Sequence, residues 1–201
     1  MRLRVFAFET PALVESAIEE LRASSGGLSA LIFDLRDNPG GDLAAAADLA
    51  SDFLPAGVVL YRTVDADGDE LPVRARRGLL HATPLVLLIN GGTASAAEIF
   101  AGALQHHRRA TLVGQRTFGK SRAQRVLPRE DAPGALYATV ASVRLPDGAE
   151  IHGAGIEPDI LLDGLEAEAE RDVRSLAAKL RARGHSRLAD GLARAITAAL
   201  G

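Results

Sequence analysis

The 201-residue sequence contains no cysteine, and only two of its 23 cationic side chains are lysines. Without cysteine the chain can form neither a disulfide nor a thiolate metal site, and its redox compartment stays undecided. Acidic and basic residues are interleaved and give a net charge of −3, so no basic stripe indicates nucleic-acid binding. No apolar run reaches membrane-spanning length. What remains is a globular chain, 47% hydrophobic, with ample apolar material for a buried core.

The first eight residues (MRLRVFAF) hold too short an apolar stretch for a signal peptide, and we expect them to form a strand. The protein is therefore expected to be either cytosolic or a piece of a longer chain. We expect no metal site, because the histidines lack ligand spacing with carboxylates. The five histidines are His81, His106, His107, His152 and His185.

Apolar periodicity predicts helices and strands in alternation, which favours an α/β architecture with helices packed on a largely parallel sheet. Residues 58–63 and 71–75 are expected to form a hairpin around the turn 65–68 (DADG). Charged and alanine-rich amphipathic patterns predict two further helices over residues 165–183 and 186–200. We thus expect a core over residues 1–163 and a C-terminal helical extension over residues 164–201.

Lys120 lies in a segment, residues 114–121 (GQRTFGKS), that matches the phosphate-binding loop pattern G-x-x-x-x-G-K-S. Such a loop works because a helix begins at its lysine and directs backbone N–H groups at the phosphates. Here residues 122–128 (RAQRVLP) are strand-like and end in proline. Nucleotide binding is therefore one alternative, and it requires a helix that the sequence does not predict.

A second chemistry joins Lys120 to Ser95. An amine can lose its proton and act as a base, which a guanidinium cannot do. Ser95 follows the turn 91–94 (GGTA) and begins a helix, so its hydroxyl would project from a strand-to-helix turn. Such a hydroxyl becomes nucleophilic when a neighbouring base takes its proton. Taken alone, however, residues 95–98 (SAAE) are more typical of a helix capping box.

Four segments in order resemble the successive motifs of the tail-specific, or C-terminal processing, peptidases. They are residues 34–41 (DLRDNPGG), 90–99 (NGGTASAAEI), 114–120 (GQRTFGK) with Gln124, and 153–159 (GAGIEPD). The resemblance extends over about residues 2–162. It implies a core with the α/β spiral fold of Clp protease and crotonase. It also implies site roles: Ser95 as nucleophile, Lys120 as general base, Gln124 as the residue that holds the lysine, and the Gly41 and Ala96 amides as the oxyanion hole.

The resemblance implies a serine endopeptidase that cleaves protein or peptide substrates near their C-terminal tails through an acyl-enzyme, without a cofactor. It also implies a periplasmic or otherwise extracytoplasmic location and allows a homo-oligomer. The chain is expected to correspond to the catalytic core alone, without the signal segment and PDZ domain of other members. His106 stands where some members have an acidic residue, and we assign it no catalytic role. A catalytically silent binding module on the same core is the alternative.

Overall fold

A computed structural model describes residues 1–25, 27–28, 30–78, 80–128 and 135–161, together with positions 178, 181, 182, 189 and 190. The predicted C-terminal helices lie outside the described residues except at those five positions. The helices and strands are, in chain order, α1 (Thr10–Ser25), β1 (Leu31–Asp34), α2 (Leu43–Ser51), β2 (Val59–Val64), β3 (Glu70–Arg74), β4 (Leu85–Ile89), α3 (Ala96–His106), β5 (Ala110–Gly114), β6 (Arg122–Pro128), β7 (Ala135–Arg144) and β8 (Ile160–Leu161).

The strands form two four-stranded sheets. One is parallel with the order β1-β4-β5-β8, and the other is antiparallel with the order β3-β2-β7-β6. The predicted hairpin is confirmed as β2 and β3. The expectation of a largely parallel sheet is wrong for half of the described strands. Only five residues connect β2 to β3, and a parallel pair needs a crossover of a dozen or more.

The predicted N-terminal strand is reduced to two isolated bridges, one of which pairs Phe6 with Gly41. The Phe6 N–H donates to the Gly40 carbonyl at 2.8 Å, and the Asp42 N–H donates to the Phe6 carbonyl at 2.8 Å. A β-carbon on Gly41 would lie 2.1 Å from the Phe6 carbonyl oxygen, and the φ of Gly41 is +125°. Only glycine fits this close approach. The N-terminal segment therefore fixes the turn at Gly40 and Gly41, the glycine turn, which borders the candidate active site.

Helix α3 is buried from Ala96 to Leu104, and it contacts β5 of the parallel sheet and β2 of the antiparallel one. All five residues of β4, which precedes α3, are buried, as expected for an interior strand of a parallel sheet. Because every residue from Ala96 to Leu104 is buried, this part of α3 is packed on every side. Its N-terminal end, where Ser95 lies, is consequently a well-fixed point of the fold.

Candidate active site

Ser95 lies between β4 and α3 in a backbone conformation that non-glycine residues rarely adopt. Its φ is 57° and its ψ is −123°. A conformation of this kind costs about 1–3 kcal/mol and persists only where the surroundings hold it. Part of that support comes from the buried Thr93, whose hydroxyl donates to the Leu35 carbonyl at 2.8 Å. Ser95 therefore lies at a sharp turn between β4 and α3, and contacts such as the Thr93 hydrogen bond hold its strained backbone conformation.

The Ser95 hydroxyl lies near the Glu98 amide in the capping-box arrangement, but it forms no side-chain cap hydrogen bond. The Glu98 amide donates instead to the Ser95 carbonyl at 2.9 Å. The return contact of the box is formed, since the Ser95 N–H donates to Oε2 of Glu98 at 2.9 Å. The capping-box arrangement expected from the local sequence is therefore present, although the Ser95 hydroxyl itself forms no cap hydrogen bond.

Glu98 joins two connecting segments, residues 90–95 before α3 (the Ser95 turn) and residues 115–121 between β5 and β6 (the Lys120 loop). This side chain is fully buried. Oε2 accepts from the N–H of Ser95 at 2.9 Å and from the N–H of Lys120 at 2.8 Å. Oε1 accepts from the N–H of Gly119 at 2.7 Å and from the Thr117 hydroxyl. Our sequence interpretation gave Glu98 only a capping role, although a lone acid inside the apolar run AAEIFAGAL was a signal that it needed partners elsewhere.

The fourth sequence motif packs against the Lys120 loop. The Gly153 N–H donates to the Gly119 carbonyl at 2.9 Å, and the Thr117 N–H donates to the Ile156 carbonyl at 3.1 Å. A β-carbon on Gly155 would lie 2.2 Å from the Thr117 carbonyl oxygen, so the two segments approach backbone to backbone. The loop that carries Lys120 is thus clamped on one side by Glu98 and on the other by residues 153–156.

The first motif supports the glycine turn. The buried Arg36 forms a bidentate pair with Asp34, with both nitrogen-to-oxygen distances 2.8 Å. Burial acts to raise the pKa of Asp34, but the Arg36 guanidinium outweighs it and holds the pKa below its usual value. Asn38 accepts from the Gly40 N–H through Oδ1 at 2.9 Å, and its carbonyl accepts from the Ala94 N–H at 2.9 Å. This motif therefore ties the glycine turn to the Ser95 turn.

The five residues predicted for the site line one cavity of about 420 Å³. They are Gly41, Ser95, Ala96, Lys120 and Gln124. The same cavity has apolar walls, contributed by Leu43, Ile99, Val126 and Val143 among others. The fold thus brings together residues that lie up to 83 positions apart in sequence (41 to 124).

Two backbone amides in this cavity have no acceptor among the described residues. In the bridge to Phe6, the bonds use the Gly40 carbonyl and the Asp42 amide, which leaves the N–H of Gly41 unengaged. Ala96 is the first residue of α3, where an N–H has no intrahelical partner. A β-carbon on Gly40 would lie 2.8 Å from the Ser95 β-carbon, so glycine is required for the two turns to approach this closely.

The helix that a phosphate-binding loop requires does not follow Lys120. Residues 122–128 form strand β6, which pairs antiparallel with β7, so the prediction that a strand follows Lys120 is confirmed. No helix therefore begins at this lysine.

Within the described ranges, no cluster of three or more histidine and carboxylate side chains is arranged to hold a metal ion. No helix among those residues is long and apolar enough to cross a bilayer.

The sequence profile of peptidase family S41 matches residues 1–162. The chain belongs to this family. It is 39% identical over 166 residues to a carboxy-terminal-processing protease of Bartonella bacilliformis, and 40% identical over 163 residues to a carboxyl-terminal-processing protease of Synechocystis sp.. Each match covers 81% of this chain but only 38% and 37%, respectively, of those relatives.

Among solved structures, the photosystem II D1 C-terminal processing protease superposes with a TM-score of 0.72 at 36% sequence identity. The match covers 81% of this chain and 41% of that protein. The expected mixed α/β core of the Clp protease and crotonase type is thereby confirmed as the fold of an S41 peptidase. The resemblance derived from the four sequence motifs is also confirmed.

Proposed function

We propose that this chain is the catalytic core of a serine endopeptidase that cleaves protein or peptide substrates near their C-terminal tails. The observation that carries the proposal is the shared cavity of Ser95 and Lys120, whose backbone amides are joined through the Glu98 carboxylate. The names of the S41 relatives support the tail preference, although the chain spans less than two fifths of their length.

In the first half of the proposed reaction, Ser95 Oγ attacks the scissile carbonyl carbon and its proton passes to the amine of Lys120. The new oxyanion accepts hydrogen bonds from the N–H groups of Gly41 and Ala96. One donor of this kind is worth about 10²–10³ in kcat. When the carbon–nitrogen bond breaks, the Lys120 ammonium gives its proton to the leaving amine, and the acyl group stays on Ser95.

In the second half, a water molecule attacks the acyl carbonyl and gives its proton to Lys120. The bond to Ser95 Oγ breaks, Lys120 returns the proton to that oxygen, and the acid product leaves. Gln124 lies on β6 in the same cavity, and we assign it the task of holding the lysine amine in line. No cofactor takes part in either half. Apart from the substrate and water, the reaction uses Ser95, Lys120 and the two amides, with Gln124 positioning the lysine.

The direct test is labelling with a peptidyl phosphonate that reacts with activated serines, followed by mass mapping of the modified peptide. We expect one label, on Ser95, that is absent in Ser95→Ala and strongly slowed in Lys120→Ala. Ser24 is an exposed serine outside the cavity, and Ser24→Ala should label like the parent. A folded parent protein that takes no label would support the silent binding module instead.

The remaining expectations from the sequence stay predictions. They are the domain boundary at residues 163–164, the homo-oligomer, and the extracytoplasmic location. Gel filtration with light scattering would decide the oligomeric state, and limited proteolysis with mass mapping would decide the boundary.

A further inference from the structure

The cavity around Ser95 carries positive charge without matching negative charge. Lys120 and Arg122 both line it, and none of the described residues that line it is acidic. The nearest buried acid, Glu98, accepts four hydrogen bonds from the turn and the loop and is not part of the lining. The Arg122 guanidinium stays charged whether or not the Lys120 amine is protonated. A cavity with this cation, apolar walls and no acid is electrostatically suited to a ligand that brings its own anionic group.

Arg122 differs from most other described arginines in having no partner within the described part of the chain. Arg36, Arg77 and Arg116, for example, lie against Asp34, Asp52 and Glu157. The Arg122 side chain is exposed and forms neither an ion pair nor a hydrogen bond there. Arginine is suited to planar, two-point recognition of a carboxylate. An unpaired arginine at the cavity edge is therefore free to bind a substrate carboxylate.

The mechanism gives the direction from which that carboxylate comes. Because Lys120 passes its proton to the leaving amine, the leaving segment of the substrate must run past Lys120. Arg122 lies two residues further on, at the start of β6, and both Arg122 and Gln124 line the cavity. A leaving segment that runs alongside this stretch, in the direction of the chain, meets Arg122 after it has passed Lys120.

We propose that Arg122 binds a carboxylate of the leaving segment and so makes the site select cleavage a short distance before that group. The inference rests on the proposed peptidase function and adds a substrate feature to it. A fully extended chain advances about 3.3 Å per residue, so Lys120 and Arg122 are at most about 7 Å apart along the chain. A substrate that runs alongside advances at the same rate, which places the carboxylate about two to three residues beyond the scissile bond.

Three peptides that differ only in the last residue or its terminal group test this inference. Each extends three residues beyond the scissile bond, and they end in a free carboxylate, in an amide, or in an amide that follows a terminal glutamate. We expect the parent protein to have a kcat/KM at least about tenfold higher for the free acid than for the plain amide. Arg122→Gln should bring that ratio close to one, and Arg122→Lys should leave it intermediate. The glutamate peptide distinguishes a side-chain carboxylate from a terminal one.

Arg4 provides the matched control, since it is an exposed arginine that does not line the cavity. Arg4→Gln should keep the acid-to-amide ratio of the parent. If the parent had about the same kcat/KM for the free acid, the plain amide and the glutamate peptide, the inference would be overturned. An unchanged ratio in Arg122→Gln would do the same.

Binding to the Ser95→Ala variant separates this inference from the proposed function, because it needs no turnover. Fluorescence anisotropy should show tighter binding of a carboxylate peptide than of the plain amide, and the difference should vanish in Ser95→Ala/Arg122→Gln. Equal binding of all three peptides to Ser95→Ala overturns the role of Arg122 even if the parent is an active peptidase. Absence of turnover and of Ser95 labelling in the parent would instead contradict the proposed function, and the binding difference would still decide the role of Arg122.

Discussion

Replacement of Glu98 by glutamine should disturb the connection between the Ser95 turn and the Lys120 loop. A carboxylate has enough lone pairs for its four donors, whereas an amide group has one oxygen and an NH₂ that can only donate. The amide oxygen is expected to take the Oε2 position, where it still accepts from Ser95 and Lys120. The NH₂ then faces the N–H of Gly119 and the O–H of Thr117, both of which lose their acceptor. The Thr117 oxygen, which already accepts from the Ile156 N–H at 2.7 Å, can still accept from the NH₂.

The structure sets the size of the effect. One buried N–H is left without an acceptor, which costs about 1–3 kcal/mol, and the remaining bonds lose the charge that strengthens them. We expect Glu98→Gln to lower the free energy of unfolding by about 2–4 kcal/mol. Movement of the loop by about 1 Å relative to Ser95 would lower kcat by about 10²-fold. Glu98→Ala, which removes all four acceptor contacts, should be less stable still.

Urea unfolding and peptide hydrolysis, at a temperature where both proteins are folded, measure the two effects separately. Glu20 is an exposed glutamate of α1, and Glu20→Gln should change the unfolding free energy by less than about 0.5 kcal/mol. If Glu98→Gln had the stability and the kcat of the parent, the four contacts of Glu98 would be energetically unimportant, and the bridging role would be refuted.

Three other predictions concern the base, the loop and a buried acid. Lys120→Arg should abolish hydrolysis as completely as Lys120→Ala, because a guanidinium cannot accept a proton at neutral pH; substantial kcat/KM in the arginine variant would exclude Lys120 as the base. Calorimetry should detect no binding of ATP with magnesium at millimolar nucleotide, and saturable binding lost in Lys120→Ala would revive the phosphate-loop interpretation. Burial raises the pKa of Asp52 to about 6 from 3.8, partly offset by Arg77. The folded state then binds more protons at Asp52 than the unfolded state between pH 3.8 and 6, so the contribution of Asp52 to stability should fall as pH rises through that window and stay level above it. Burial lowers the pKa of His81 and acts in the opposite direction, so the Asp52 contribution is measured as the difference between the parent and Asp52→Asn. Asp52→Asn should remove this dependence and raise the unfolding free energy at pH 7.5 by about 1–2 kcal/mol, a value reduced for solvent screening near Arg77; a less stable variant at that pH would contradict it.

The elements around the site were predictable because their signals are local. The apolar run before Asn90 indicates a buried strand, and β4 occupies residues 85–89. The short segment after Lys120 indicates a strand because its proline leaves no room for a helix, and β6 is found there. The positions of Ser95 and Lys120 followed from motif order and spacing.

The antiparallel sheet was not predictable in the same way, because strand direction is decided by pairing between distant residues. Arg62 of β2 pairs with Arg144 of β7, and nothing in the sequence around either residue indicates that these two strands pair. Alternating polarity indicates a strand but gives neither its neighbour nor its direction. The prediction of a strand at the N-terminus was wrong for a related reason. It meets the fold through isolated bridges, which are too few to form the expected strand.

Glu98 shows how a local signal can hide a tertiary one. The capping box was the natural interpretation because its partner, Ser95, is only three residues away, whereas Gly119 and Lys120 are 21 and 22 residues away. Burial decides between the two. An acid at an exposed helix start needs one or two donors from its own turn, while a fully buried carboxylate must find donors for both oxygens. In this fold the Lys120 loop supplies three of them. The contacts that satisfy the buried charge are therefore the same contacts that bring the lysine loop to the serine turn.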